Sequence, residues 1–133
     1  MGQAPDRRKA LVSYALVVAA VPAAWVLETL VRTTFFAARA RVIADAFGPS
    51  LRRIAWVSFG LTLVLGGVAA MLRPALRRRY NPAGAMMAGA SIPQVPAILA
   101  CSVGMLGADP GPVAWTALAC TLLVAWHWPA RSP

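Results

Sequence analysis

The sequence predicts an all-α, polytopic membrane protein with four transmembrane helices in two hairpins. Three observations lead there. Of 133 residues, 59% are apolar and 13% charged, against roughly 25% charged in an ordinary soluble domain. The apolar residues gather in four long blocks, close to the ~20 residues that cross a hydrocarbon core about 30 Å thick. The thirteen Lys/Arg, set against four acids for a formal charge of +9, sit mostly at block ends. A soluble chain of this length has too little interior to bury four such blocks.

Basic residues at block ends suit anionic lipid headgroups and topology control. A nucleic-acid partner would call for a basic face rather than basic borders, so none is expected. Cys101 and Cys120 fall inside apolar blocks without ligand spacing and read as packing residues. One transmembrane domain spanning 1–133 is expected, in a prokaryotic plasma membrane.

Residues 1–9 read as a short polar tail carrying Arg7, Arg8 and Lys9. The first span covers about 11–31 and contains Pro22. It is too long for a signal-peptide core, and Trp25 followed by Glu28 makes a poor cleavage site. Ala15, Ala19 and Ala23 recur every four residues, a ridge that admits a second helix closely.

Residues 32–48 predict an interfacial amphipathic helix. Phe36, Ala40, Ile43 and Phe47 share one face, and Arg41 and Asp45 form an i,i+4 pair opposite. Packing against the bundle end is the alternative. Gly48–Pro49 reads as its stop. The second span, about 54–72, has no charge and holds Gly60, Gly66 and Gly67. A loop from Arg73 to Pro82 follows, with Arg77, Arg78 and Arg79.

The third span, about 83–108, is broken by Pro93 and Pro96. Gly107–Pro112 is the clearest turn signal in the chain. The fourth span, about 112–129, is short for a crossing and ends in Trp126-His127-Trp128-Pro129.

Few residues offer chemistry. Pro93 and Pro96 leave the carbonyls of Gly89 and Ile92 without amide donors, and Pro93 lies roughly 15 Å into its span. Broken helices at mid-depth line transporter sites, so Ser91 and Gln94 are candidates for a ligand or ion path; a structural kink is the other reading. Glu28 is the one acid within a span, which by default marks a site. Arg32 at i+4 offers it a partner near the interface.

Trp25, Trp56, Trp115, Trp126, His127 and Trp128 read as interface anchors. His127 lacks companion ligands, so neither zinc nor haem is implied. No nucleotide, hydrolase or metalloprotease motif occurs, and no catalytic residue, metal or cofactor is expected.

The function expected is that of a non-enzymatic subunit or self-associating assembly factor, forming a homo-oligomer or joining a larger membrane complex. The alanine ridge, the glycines of the second span, and Ala100, Gly104 and Ala108 motivate it. A small oligomeric transporter or channel built on the Pro93–Pro96 break is the alternative. Positive-inside bias puts both termini in the cytoplasm. Re-entry of the first block at Pro22 would instead return residues 32–53 to the cytoplasmic side.

Overall fold

The computed structural model describes residues 3–126, with side chains from Arg7 onward. Four helices make it up: α1 (Gln3–Phe35), α2 (Ala37–Arg79), α3 (Pro82–Met105) and α4 (Pro110–Trp126). No strand occurs among the described residues. Three helices, Arg7–Phe35, Ala37–Arg79 and Pro82–Met105, are long and apolar enough to cross a membrane, while Pro110–Trp126 is a shorter apolar helix. These are the attributes of a multi-pass membrane protein.

The composition of inside and outside follows from a lipid surround. Ala55, Ala69, Ala90, Ala97 and Ala100 are fully buried, while Leu16, Leu27, Val64, Met71, Val95 and Leu122 are exposed. Lipid tails are as apolar as Leu, so large side chains gain nothing by turning inward; close backbone approach brings helices together instead. The buried face of α2 runs Leu51, Ala55, Ser58, Thr62, Gly66, Ala69, spaced by three and four residues as one side of a helix requires. Cys101 and Val103 of α3 cluster with Leu51 and Ala55 of that face, while Ala90 and Ala97 cluster with Val21 of α1 and with Ala117, Cys120 and Val124 of α4. The α2–α3 contact is the most extensive in the molecule.

Directions follow from named contacts. The Tyr14 hydroxyl donates to the Ala125 carbonyl at 3.0 Å, while Gly104 has both Glu28 and Val113 beside it. The helix α1 therefore runs antiparallel to α4 and parallel to α3. Near its start, α2 touches Gly107 through Ala40 and Ala44, and later it reaches Leu123 at Gly66, so it runs beside α4. Both α1 and α2 pack on α3 and α4 but barely on each other. The α3–α4 hairpin thus forms the middle of the bundle with α1 and α2 on opposite flanks.

Several expected boundaries are overturned. The helix α1 already includes residues 3–9 and continues through Pro22, so the polar tail is helical and no re-entry occurs there. The amphipathic segment and the second span are one helix of 43 residues, about 65 Å long. Gly48–Pro49 does not stop it, because packing holds the chain on both sides: Ala40 against the α3–α4 turn, and Leu51 and Ala55 in a cluster with Cys101, Val103, Ala108 and Val113. The break comes instead at Phe36, whose φ of −121° and ψ of 9° leave the helical region.

The expected Arg73–Pro82 loop is likewise mostly helix. Pro74 lies inside α2, and Arg77, Arg78 and Arg79 occupy its last turn, where cations complement the C-terminal dipole. Only Tyr80 and Asn81 connect to α3. Asn81 caps α3 by accepting from the Gly84 amide at 2.7 Å, with Pro82 in the first turn.

The α3–α4 turn depends on Gly107, whose φ of +95° is left-handed and whose Cα faces the Ala40 carbonyl. Alanine there would meet both the backbone penalty of about 1–2 kcal/mol and a collision with α2. Gly107→Ala should lower the thermal midpoint of the detergent-solubilised protein by several degrees. Gly111→Ala, whose new methyl would find only an ordinary contact with Asp109, should leave it nearly unchanged; equal midpoints would contradict this account of the turn.

Candidate functional site

The residues singled out for a path do not converge. Ser91 is exposed and returns its hydroxyl to the Ala88 carbonyl at 2.9 Å on its own helix. Gln94 lies one turn further on and points at α1, donating from Nε2 to the Val17 carbonyl at 2.8 Å. Val17 precedes Val18, the residue whose carbonyl Pro22 leaves without an amide donor. Glu28 meets α3 at Gly104, ten residues or about 15 Å of helix beyond Gln94.

The proline break is closed by protein. Pro93 and Pro96 are buried, and the Cys120 thiol on α4 donates to the Pro93 carbonyl at 3.5 Å. Val21, Ala90, Ala97, Ala117, Cys120 and Val124 form the surrounding cluster, with Val17, Val18 and Trp25 packed against it. The helix α3 runs on through both prolines, and Gln94 ties it to α1. Sequence reading missed both Tyr14 and Cys120 as cross-helix donors, since neither carries a local motif.

Glu28 is the most structured polar group. It is buried, and its Oε1 accepts from Arg32 Nε at 2.9 Å. Its Oε2 accepts from the Thr29 hydroxyl at 3.2 Å. Gly104 makes room for the carboxylate: a Cβ there would lie 3.0 Å from Oε1 and 3.2 Å from Cδ. The expected i,i+4 pair with Arg32 is therefore formed, and α3 covers it. The expected Arg41–Asp45 pair is not. Ion pairs among the described residues join Arg32 to Glu28 and exposed Arg52 to Asp109 at 3.6 Å.

The remaining buried hydroxyls are satisfied locally. Ser58 donates to Ile54, Thr62 to Ser58 and Thr116 to Pro112, each to the carbonyl four residues back. None is left aimed into a cavity.

Of the expected anchors, Trp56, Trp115 and Trp126 are exposed, and Trp56 meets Phe59 edge-on with centroids 5.7 Å apart. Trp25 packs against both core clusters, a packing role beside any interfacial one. His127 and Trp128 lie outside the described residues.

Two surface clefts involve α2, one along its own middle and one at its junction with α1. One, of about 720 Å³, follows Pro49 along α2 and is lined by Gly48, Arg52, Arg53, Trp56 and Val57. The other, of about 330 Å³, lies between Arg32 and Thr33 of α1, Ala37, Ala40, Arg41 and Ala44 of α2, and Gly107. Compared with known proteins, the chain matches no family model, no curated protein and no solved structure. The reading of function therefore rests on its own geometry.

Glu28 and Arg32 should behave as one unit. Arg32→Ala strands a buried carboxylate and should cost about 3 kcal/mol or more, whereas the double variant Glu28→Gln/Arg32→Gln should cost markedly less. A double-mutant cycle on unfolding in detergent measures the coupling; strictly additive losses would contradict it. Gln94→Leu should cost about 0.6–1.7 kcal/mol, the range for membrane-buried hydrogen bonds.

Proposed function

We propose that the protein is a non-enzymatic membrane subunit that works by self-association through the outward face of α1. One observation carries this reading. Only 6% of the most apolar window of α1 is buried, against 50% in α3, and Ala15, Ala19 and Ala23 are all exposed. A ridge of small residues at four-residue spacing lets two backbones approach closely in lipid. The same ridge on a second copy is its simplest complement, because a two-fold contact pairs a patch with itself.

Of the other small residues that suggested assembly, several are covered within the chain, whereas Gly60 and Gly67 of α2 face open space. Gly66 is covered by Leu123, Gly104 by Glu28, and Ala100 and Ala108 are buried. The argument for association rests first on α1, where three exposed alanines keep an unbroken four-residue spacing. The transporter alternative draws less support, since Ser91, Gln94 and Glu28 each bond to protein, at the Ala88 carbonyl, the Val17 carbonyl and Arg32.

The arrangement we propose in the bilayer is four spans with both termini cytoplasmic. Arg7, Arg8, Lys9, Arg73, Arg77, Arg78, Arg79 and Arg131 would flank the inner face, and Arg32, Arg39, Arg41, Arg52 and Arg53 the outer one. The eight-to-five bias agrees with positive-inside orientation.

In lipid nanodiscs or supported bilayers, single-molecule photobleaching of labelled wild-type protein should show more than one copy per particle. Ala19→Leu/Ala23→Leu should shift the population to single copies without changing helical content. A wild type that is strictly monomeric in both detergent and lipid would sink the proposal. Orientation is read separately, with Ser50→Cys, Arg79→Cys and Pro110→Cys placed singly in a Cys101→Ala/Cys120→Ala background. An impermeant thiol reagent on intact cells should label residues 50 and 110 and spare 79; the reverse pattern would invert the topology.

A further inference from the structure

The cleft at the α1–α2 junction has the makings of an anion site, and three independent features converge on it. The first is Arg32, whose Nε is engaged by the buried carboxylate of Glu28 at 2.9 Å. That bond fixes the guanidinium plane and leaves its two Nη groups uncommitted among the described residues. A guanidinium oriented in advance loses less freedom on binding an oxyanion.

The second is Arg41, which also lines the cleft. It is exposed and makes neither a hydrogen bond nor an ion pair with any described residue. The third is the start of α2 itself. Ala37, its first residue, lines the same cleft; Phe36 provides no side-chain cap, and no acid occupies the first turn. A helix start carries partial positive charge and amides that suit a phosphate.

Thr33 contributes shape rather than a donor, because its hydroxyl is turned back to the Thr29 and Leu30 carbonyls at 2.8 and 3.2 Å. Gly107 closes the far side without a side chain that would fill the space. Within the cleft and its immediate support, the charges of Arg32 and Arg41 exceed that of Glu28 by one.

We propose that this cleft holds the phosphate of an anionic membrane lipid. The surroundings favour a lipid over a soluble phosphate. Leu30, Phe35 and Phe36 are exposed beside it, and a headgroup seated between Arg32 and Arg41 leaves its acyl chains free to lie along that apolar surface. Charge-assisted bonds from two guanidinia fix the phosphate, and the buried Glu28 serves as a positioning residue for one of them.

The test uses full-length protein in a neutral detergent, titrated with phosphatidylglycerol or phosphatidylcholine and observed by native mass spectrometry. Phosphatidylglycerol should bind at least about tenfold more tightly than phosphatidylcholine, and Arg41→Gln should remove about a factor of ten from that affinity. Arg39→Gln, an equally exposed cation outside the cleft, should leave it within about twofold. Arg41 is exposed and unpaired, so its variant should keep the wild-type thermal midpoint, which is measured alongside. Equal losses in the Arg39 and Arg41 variants would reduce the effect to general surface charge and overturn the site. Displacement of the lipid by millimolar inorganic phosphate, with the same dependence on Arg41, would overturn the lipid assignment in favour of a soluble anion.

Discussion

The fold depends on how closely α2 and α3 approach. Between helices in a bilayer there is no water to expel, so cohesion comes from dispersion contacts and hydrogen bonds between surfaces that can come near. Both helices therefore turn small residues inward. Ala55, Ser58, Thr62, Gly66 and Ala69 lie on the buried face of α2, and the buried glycines and alanines of α3 serve its contacts with its neighbours. Leu, Val and Phe are left for the lipid side. Once that pair is set, the Gly107 turn brings α4 back along both, and α1 completes the other flank.

Close packing leaves little tolerance for polar groups, and the chain manages them in two ways. Hydroxyls of Ser58, Thr62, Thr116 and Thr121 return to carbonyls four residues earlier on their own helices. Tyr14, Gln94 and Cys120 instead reach backbone carbonyls of neighbouring helices. The two prolines of α3 thus act as a shaped surface that α1 and α4 fill. Gln94, which in isolation resembles a path-lining residue, is a tether.

Charge is managed by location. Apart from Glu28, every acid and every base among the described side chains lies near an end of the bundle, and Glu28 is tied to Arg32 as the chain approaches its bend. At that bend, one buried carboxylate, one oriented guanidinium and the start of a long helix meet the α3–α4 turn. Exposed ion pairs such as Arg52–Asp109 contribute under about 1 kcal/mol. The Glu28–Arg32 pair differs because α3 covers it and removes competing water.

Composition and block length were enough to read helical membrane architecture, since a run of apolar residues reports directly on its solvent. The Glu28–Arg32 pair and the α3–α4 turn were legible for the same reason: both are set by spacing within a few residues. Helix continuity was not. Gly48–Pro49 and Pro74 are local stop signals, yet α2 passes through both, because contacts with residues more than fifty positions away hold the chain past Pro49 and the helix dipole favours the arginines beyond Pro74. Nor could sequence show which small-residue ridges are spent inside the chain. Ala100–Gly104–Ala108 and Ala15–Ala19–Ala23 share one spacing, but the first is buried and the second exposed. A helical pattern defines a face; only the packed neighbours decide whether that face meets protein or lipid.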